Sequence, residues 1–380
     1  MNRIGKWSLN LLLLTGVIMC SITAAQPGPI NVEGQLFPVN RESMWGYMNP
    51  AGEMVITNRF RQAQVFTEGL AAVQIGTKWG FVDEAGKVVI KQQYKNVKPF
   101  SEGLAAVQAG KKWGFVNQKG DLMVNAVFEQ VRSFREGRAW VLLNKKVGYI
   151  DAAGNQVVEA KFNLPFNREK DDFNNGLARV RLGSKTGYID PDGNFEIPAK
   201  FDALGNFSEG LAWFRHGNSW GFIDRNGEVI VEPMPYEVGD FKEGMARITV
   251  DGLSGYINTV GEVLIEPQFK QAGDFSEGLA WVVPKDKVGY IDHTGVVVIK
   301  PKYEFESAAF MGDFVEGRAR VIKSERFGFI DTEGKWVIKN KFDGATDYQN
   351  GIARIEVGFR YEARVGYLDR DGNYIWKPAK

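Results

Sequence analysis

The chain has 380 residues, 44% of them hydrophobic and 24% charged, proportions that allow a packed core and argue against disorder. Its 47 basic side chains stand against 46 acidic ones, giving a formal net charge of +1 with no basic block, so nucleic acid is not expected as a partner. Forty-four glycines against 14 prolines point to many tight turns.

Residues 1–25 read as a targeting segment. Arg3 and Lys6 give it a positive start, Leu9 to Met19 is almost wholly apolar, and Thr23-Ala24-Ala25 offers small residues for cleavage before Gln26. The apolar run is too short to cross a bilayer comfortably. Met19, in front of the single Cys20, is not the small residue that lipid attachment wants. Cleavage after Ala25 leaves a mature chain without cysteine, stabilised by packing and not by disulfides. Residues 26–44 and 373–380 fit no repeat copy and are read as caps on the repeat array, 45–372, that lies between them.

The array shows self-similarity at a fixed period. Ten glycines, Gly46, Gly80, Gly114, Gly148, Gly187, Gly221, Gly255, Gly289, Gly328 and Gly366, each precede an aromatic residue, at spacings of 34, 34, 34, 39, 34, 34, 34, 39 and 38. The series 34-34-34-39 occurs twice, so a block of 141 residues is itself repeated, with insertions between Phe162 and Phe173 and between Tyr303 and Phe314. Within a unit, Phe81-Val82 and Val88-Val89-Ile90 are β-formers on either side of a four-residue turn. Every copy opens that turn with Asp or Asn, as at Asp83, and closes it with Gly, as at Gly86. This is the chemistry of a type I turn followed by a left-handed glycine bulge. A second turn at Ser101-Glu102-Gly103 reverses the chain into Leu104 to Val107, and no stretch has a sustained helical period. The expected fold is all-β, made of tandem hairpin or meander repeats. Stacking against neighbours alone gives an open solenoid or superhelix, which the reading favours because 34 residues are few for a four-stranded blade. A closed, propeller-like array is the alternative.

The Lys78-Trp79-Gly80-Phe81-Val82-Asp83 core and the Phe100-Ser101-Glu102-Gly103-Leu104-Ala105 segment resemble the bacterial WG-containing repeat family, over roughly residues 40 to 375. The resemblance implies fold more than activity. Trp stands before the glycine only at 45, 79, 113 and 220; Val147, Thr186, Ser254, Val288, Phe327 and Val365 replace it elsewhere, which marks a packing position.

In the strand after the Glu-Gly turn, one face always carries Ala and an aliphatic or aromatic partner, as at Ala71 and Val73. The opposite face carries Trp140, Arg179, Trp213, Arg247, Trp281, Arg320 and Arg354. Two readings stand: a ligand-binding stripe for sugar rings, carboxylates or a protein hot spot, or a ladder in which each cation stacks on a neighbouring ring. Seven glutamates precede the turn glycine (Glu68, Glu102, Glu136, Glu209, Glu243, Glu277 and Glu316), with Asn175 and Asn350 in the other two places. Interchange with Asn favours turn capping or pairing between repeats over cation binding.

Catalytic chemistry is sparse. The two histidines, His216 and His293, form no cluster, Gly217 to Gly221 lacks the strand-turn-helix context of a nucleophile elbow, and Asp190 to Gly193 lacks the later glutamate of a calcium loop. No catalytic residue, metal or cofactor is assigned. The expectation is a non-catalytic periplasmic or secreted protein, without lasting membrane insertion, that presents an extended β-surface for protein interaction or scaffolding. Envelope glycan, such as peptidoglycan, is the alternative ligand. A polysaccharide-acting hydrolase is the rival of another class. The insertions, Leu164 to Asp172 and Glu304 to Asp313, are the second choice for a site.

Overall fold

A computed structural model describes residues 35–41, 43–164, 171–358 and 363–378, all within one unit spanning 32–380. The targeting segment and Cys20 lie outside the described residues, as do six residues of the first insertion.

Among the described residues ten antiparallel blades follow one another, at residues 37–60, 62–94, 96–128, 130–162, 178–201, 203–234, 237–269, 271–304, 319–342 and 344–376. Among the described residues the only helix is one 3-10 turn, Ala308–Phe310, in the second insertion. The third blade shows the common pattern: Asn96–Val97, Leu104–Ala109, Lys112–Asn117 and Leu122–Phe128, hydrogen-bonded in chain order. Thirty-four residues suffice for four strands because the first strand has two residues and the links are tight turns. Where the insertions enter, only a lone bridge from Asn163 to Arg181, or a single pair from Glu304 to Ile322, remains of the first strand.

Side-chain chemistry sets each turn. The Asp83 carboxylate accepts the Lys87 amide at 2.8 Å, and the Gly86 amide donates to the Asp83 carbonyl at 2.8 Å, giving the type I turn and bulge expected. The register slips at that bulge in every third-to-fourth strand pair, for example between Phe81 and Val82. The glycine of the Trp-Gly pair answers to crowding: a β-carbon on Gly80 would lie 2.3 Å from the Ile90 carbonyl oxygen and 2.8 Å from the Gln92 amide. The fourth strand crosses too closely for any side chain there.

Blades join through four repeated contacts. An aromatic on each third strand meets one at the start of the next blade, as in Phe81–Phe100 (4.9 Å), Phe222–Phe241 (4.5 Å) and Tyr290–Phe314 (5.0 Å). Where that residue is tyrosine its hydroxyl donates to a carbonyl of the next blade, Tyr256 to Gly273 at 2.6 Å. Each turn glycine sits against the preceding blade, Gly120 on Ile90 and Gly154 on Val124. Finally, the Glu102 carboxylate accepts the Gly137 amide at 2.9 Å, and the Glu68, Glu136, Glu209, Glu243, Glu277 and Glu316 carboxylates do likewise for the following blades. Pairing between repeats is therefore what this glutamate row does.

The ends of the array meet. Tyr367 donates to the Pro38 carbonyl at 2.8 Å and packs on Phe37 at 5.5 Å, and Arg41 covers Trp376. Val39, Met48, Val365, Tyr367 and Trp376 share one buried cluster. Gly52 of the first blade lies against the Ile375 backbone of the last, as each later turn glycine lies against a side chain of the blade before it. Of the two expected arrangements the closed one is present, and the open array is not. The residues read as caps are blade strands: Phe37–Arg41 pairs with Met44–Met48, and Tyr374–Trp376 pairs with Arg364–Asp369. Their sequence is atypical because each contacts a partner more than three hundred residues away, not a copy one period away.

Candidate functional site

The stripe residues lie in a line, yet most are enclosed. Trp140, Arg179 and Trp281 are each 5% exposed or less, and Trp213, Arg247, Arg320 and Arg354 are part-buried. The arginines anchor the next blade through its backbone: Arg179 donates to the Leu204 carbonyl at 2.6 Å, Arg247 to that of Ala272 at 2.5 Å, and Arg320 to that of Ala345. Arg179 also pairs with buried Asp171 at 3.0 Å. Cation–π contacts are local: Arg132, just past its blade's first strand, lies over Trp140 at 4.9 Å, and Arg320 lies over Phe327 at 5.7 Å. The stripe is thus neither an open platform at Trp140, Arg179 and Trp281 nor an alternating ring–cation stack.

Facing the stripe is a row of acids that the sequence reading passed over. Asp172, Asp240, Asp274, Asp313 and Asp347 occupy one position in five blades, directly before the aromatic that packs on the preceding blade (Phe173, Phe241, Phe275, Phe314 and Tyr348), and all are part-buried. Burial, with Asp274 and Asp347 adding their charge, pushes Asp313 up to about 6, against the pull of the Trp281 indole and Arg320. Burial and then Asp274 raise Asp240, while the Trp213 indole opposes. Asp347 is raised by burial, with Arg320 3.4 Å away opposing. Asp172 faces Arg132 at 3.4 Å. The signal available was the recurring Gly-Asp-Phe at Gly239, Gly273 and Gly312. Both insertions end in this row, at Asp172 and Asp313.

Of the histidines, His216 is exposed, and His293 stacks on Phe275 at 4.3 Å with its Nε2 3.3 Å from Glu243. His293 is therefore part of a blade joint. Among the described residues no three His, Cys, Asp or Glu side chains are grouped to hold a metal ion. No helix among them is long and apolar enough to cross a membrane.

The family profile described as WG containing repeat matches residues 45–79, 79–113, 113–146, 148–185, 187–219, 220–253, 255–287, 289–325 and 327–358. The chain belongs to the WG containing repeat family. No curated protein matches it. Among solved structures, the eukaryotic initiation factor crystal structure is 9% identical over 90% of this chain and 94% of that one, with a TM-score of 0.48. PorZ, a bacterial surface component of the type-IX secretion system of Porphyromonas gingivalis, is 10% identical over 85% of this chain and 52% of its own, at a TM-score of 0.28. The extracellular domain of a one-component system from B. thetaiotaomicron is 10% identical over 91% of this chain and 59% of its own, at a TM-score of 0.31.

The WG repeat also exposes apolar side chains at a fixed place. The fourth strand ends the pairing order in most blades, and its first two residues are Val88-Val89, Leu122-Met123, Val229-Ile230, Val263-Leu264 and Val297-Val298. These ten side chains are between 37% and 54% exposed. The row sits on the blade edge opposite the acids. β-Propensity made these residues legible as strand; their exposure follows from the edge position, which the sequence pattern did not reveal.

Proposed function

We propose that this WG repeat protein is a non-catalytic, exported interaction scaffold whose outer fourth strands receive a protein partner. The observation that carries the reading is the repeated exposed apolar pair on those strands. Five such pairs recur at one blade position, beyond the scattered exposure that any surface shows. An edge strand also presents unpaired backbone groups, a ready template for an added strand. Export rests on the leader-like residues 1–25.

The commitment of the acids favours a non-catalytic role. Asp171 pairs with Arg179, Asp347 with Arg320, and the glutamate row with backbone amides of the next blade. The stripe, with Trp140 and Trp281 enclosed, leaves a glycan little aromatic surface at those positions.

A photo-activated cross-linker at Leu264, and separately at Met123, tests the reading in intact cells. Both should trap one and the same foreign polypeptide. Ile230→Lys with Val263→Lys should abolish the trap while leaving the melting point nearly unchanged, because exposed positions contribute within about 0.5 kcal/mol. No trapped species, or one indifferent to the lysines, removes the proposal. A trapped second copy of this chain also removes it, since the band would then be a self-assembly surface.

A further inference from the structure

Across each second-to-third strand hairpin, the residue before the Trp-Gly glycine faces a partner on the second strand. Trp79 faces Gln74, Trp113 faces Gln108, Val147 faces Leu142, Thr186 faces Arg181, Trp220 faces Arg215 and Phe327 faces Ile322. At least one member of each pair is large. In the seventh blade both are small and polar, Ser254 facing Thr249. The first strand there carries Gly239, where the fourth blade has Arg132, so no side chain fills in from that side either.

The result is a cavity of about 280 Å³ between the seventh blade and the start of the eighth. At ~30 Å³ per water it holds about nine waters, close to the lower end for ligand pockets. Its wall is polar and has no aromatic ring: Arg247, Lys270, Glu237, Thr249, Ser254 and Gln271 supply the chemistry. Ser254 is 5% exposed and lines this cavity opposite Thr249. Arg247 is fixed by its bond to the Ala272 carbonyl, leaving other guanidinium donors for the cavity. Lys270 sits 3.0 Å from Asp286 in an exposed pair, which holds it weakly and lets it turn.

We propose that this cavity binds a small hydroxylated carboxylate, of the size and chemistry of a hexuronic acid. The two cations receive the carboxylate. Thr249, Ser254 and Gln271 exchange hydrogen bonds with ring hydroxyls, and Glu237 accepts from one more. Recognition runs through charge and hydrogen bonds, with no stacking. The site is independent of the apolar band and uses none of its residues.

Titration calorimetry on the folded protein tests this with D-glucuronate, D-galacturonate and D-glucose, and with a galacturonate trimer. Saturable binding of at least one acid is expected, with glucose about tenfold weaker or worse for lack of the carboxylate. Ser254→Trp restores the residue common elsewhere in the array and should lower affinity at least about tenfold while the fold persists. Lys270→Gln, a surface change, should weaken the acids and leave glucose unaffected, and it carries the test if Ser254→Trp does not fold. No saturable binding of either acid, or binding indifferent to both substitutions, overturns the proposal. Tighter binding of the trimer assigns the ligand to a polymer, and equal or weaker binding to a free acid; both are forms of the same proposal.

Discussion

Asp313 shows how one carboxylate can weigh against the fold at neutral pH. Its value is 3.8 in an unperturbed setting and about 6 here, from burial first and then the charges of Asp274 and Asp347. A raised native value means the folded protein binds the proton more tightly than the unfolded one. The stabilisation is therefore full below about pH 4 and is lost as pH rises through about 6. Asp313→Asn keeps an acceptor for the Trp281 indole and removes the charge. It should melt at a higher temperature than the parent at pH 7.5, by an amount equivalent to about 1 kcal/mol, and with no difference at pH 4. Equal melting at both pH values would show that Asp313 is not strained by its neighbours. The sequence displayed this residue plainly but gave no sign of its environment. Its neighbours are the same residue type in adjacent blades, and only folding sets them side by side.

At the level of the hairpin, the Glu-Gly turn trades backbone comfort for a joint. Glu102 has φ +55° and Gly103 has φ +79°, the double positive φ of a type I′ turn. Glutamate is a poor occupant of that region, where Asn and Gly are at ease. Asn175 and Asn350 are the two places where the easier residue appears, and no carboxylate reaches forward from either. The strain at Glu102 is offset by its bond to the Gly137 amide. Glu102→Ala keeps the strain and loses the bond, and should cost about 1–2 kcal/mol in urea unfolding. Glu102→Asn loses the bond but relieves the strain, and should cost less than half as much. Equal losses would mean that the carboxylate does nothing beyond the turn. Turns of this kind were legible in sequence because their residue requirements are local. The stripe was legible as a line but not as a joint, because Arg179, Arg247 and Arg320 find their carbonyls 25 residues ahead, on a strand of two residues.

Over the whole molecule, repeat number and blade register were readable from glycine spacing, whereas closure was not. Phe37 and Tyr367 lie in no shared pattern, and their contact exists only once all the intervening blades have set the angle between them. Chain ends that lie together allow the polypeptide to be rewired. A circular permutant joining residue 378 to residue 35 through a short Gly-Ser linker, with new ends at the exposed Gly217-Asn218 loop, should fold with a melting point close to the parent's. If the permutant melts well below the parent and the loop cut alone does not, the ends do not meet in solution.

The seat that Gly52 takes on Ile375 has an evolutionary corollary. In an open stack, gaining or losing one copy merely changes length, and tandem genes drift in copy number accordingly. Here a ninth-only or eleventh-added version would leave a wedge between first and last units, exposing Val39, Met48, Val365 and Trp376 to water. Closure therefore ties the fold to a whole number of units. Change should accumulate as substitutions inside existing copies and as loop insertions such as those before Phe173 and Phe314, while the tally of units stays fixed.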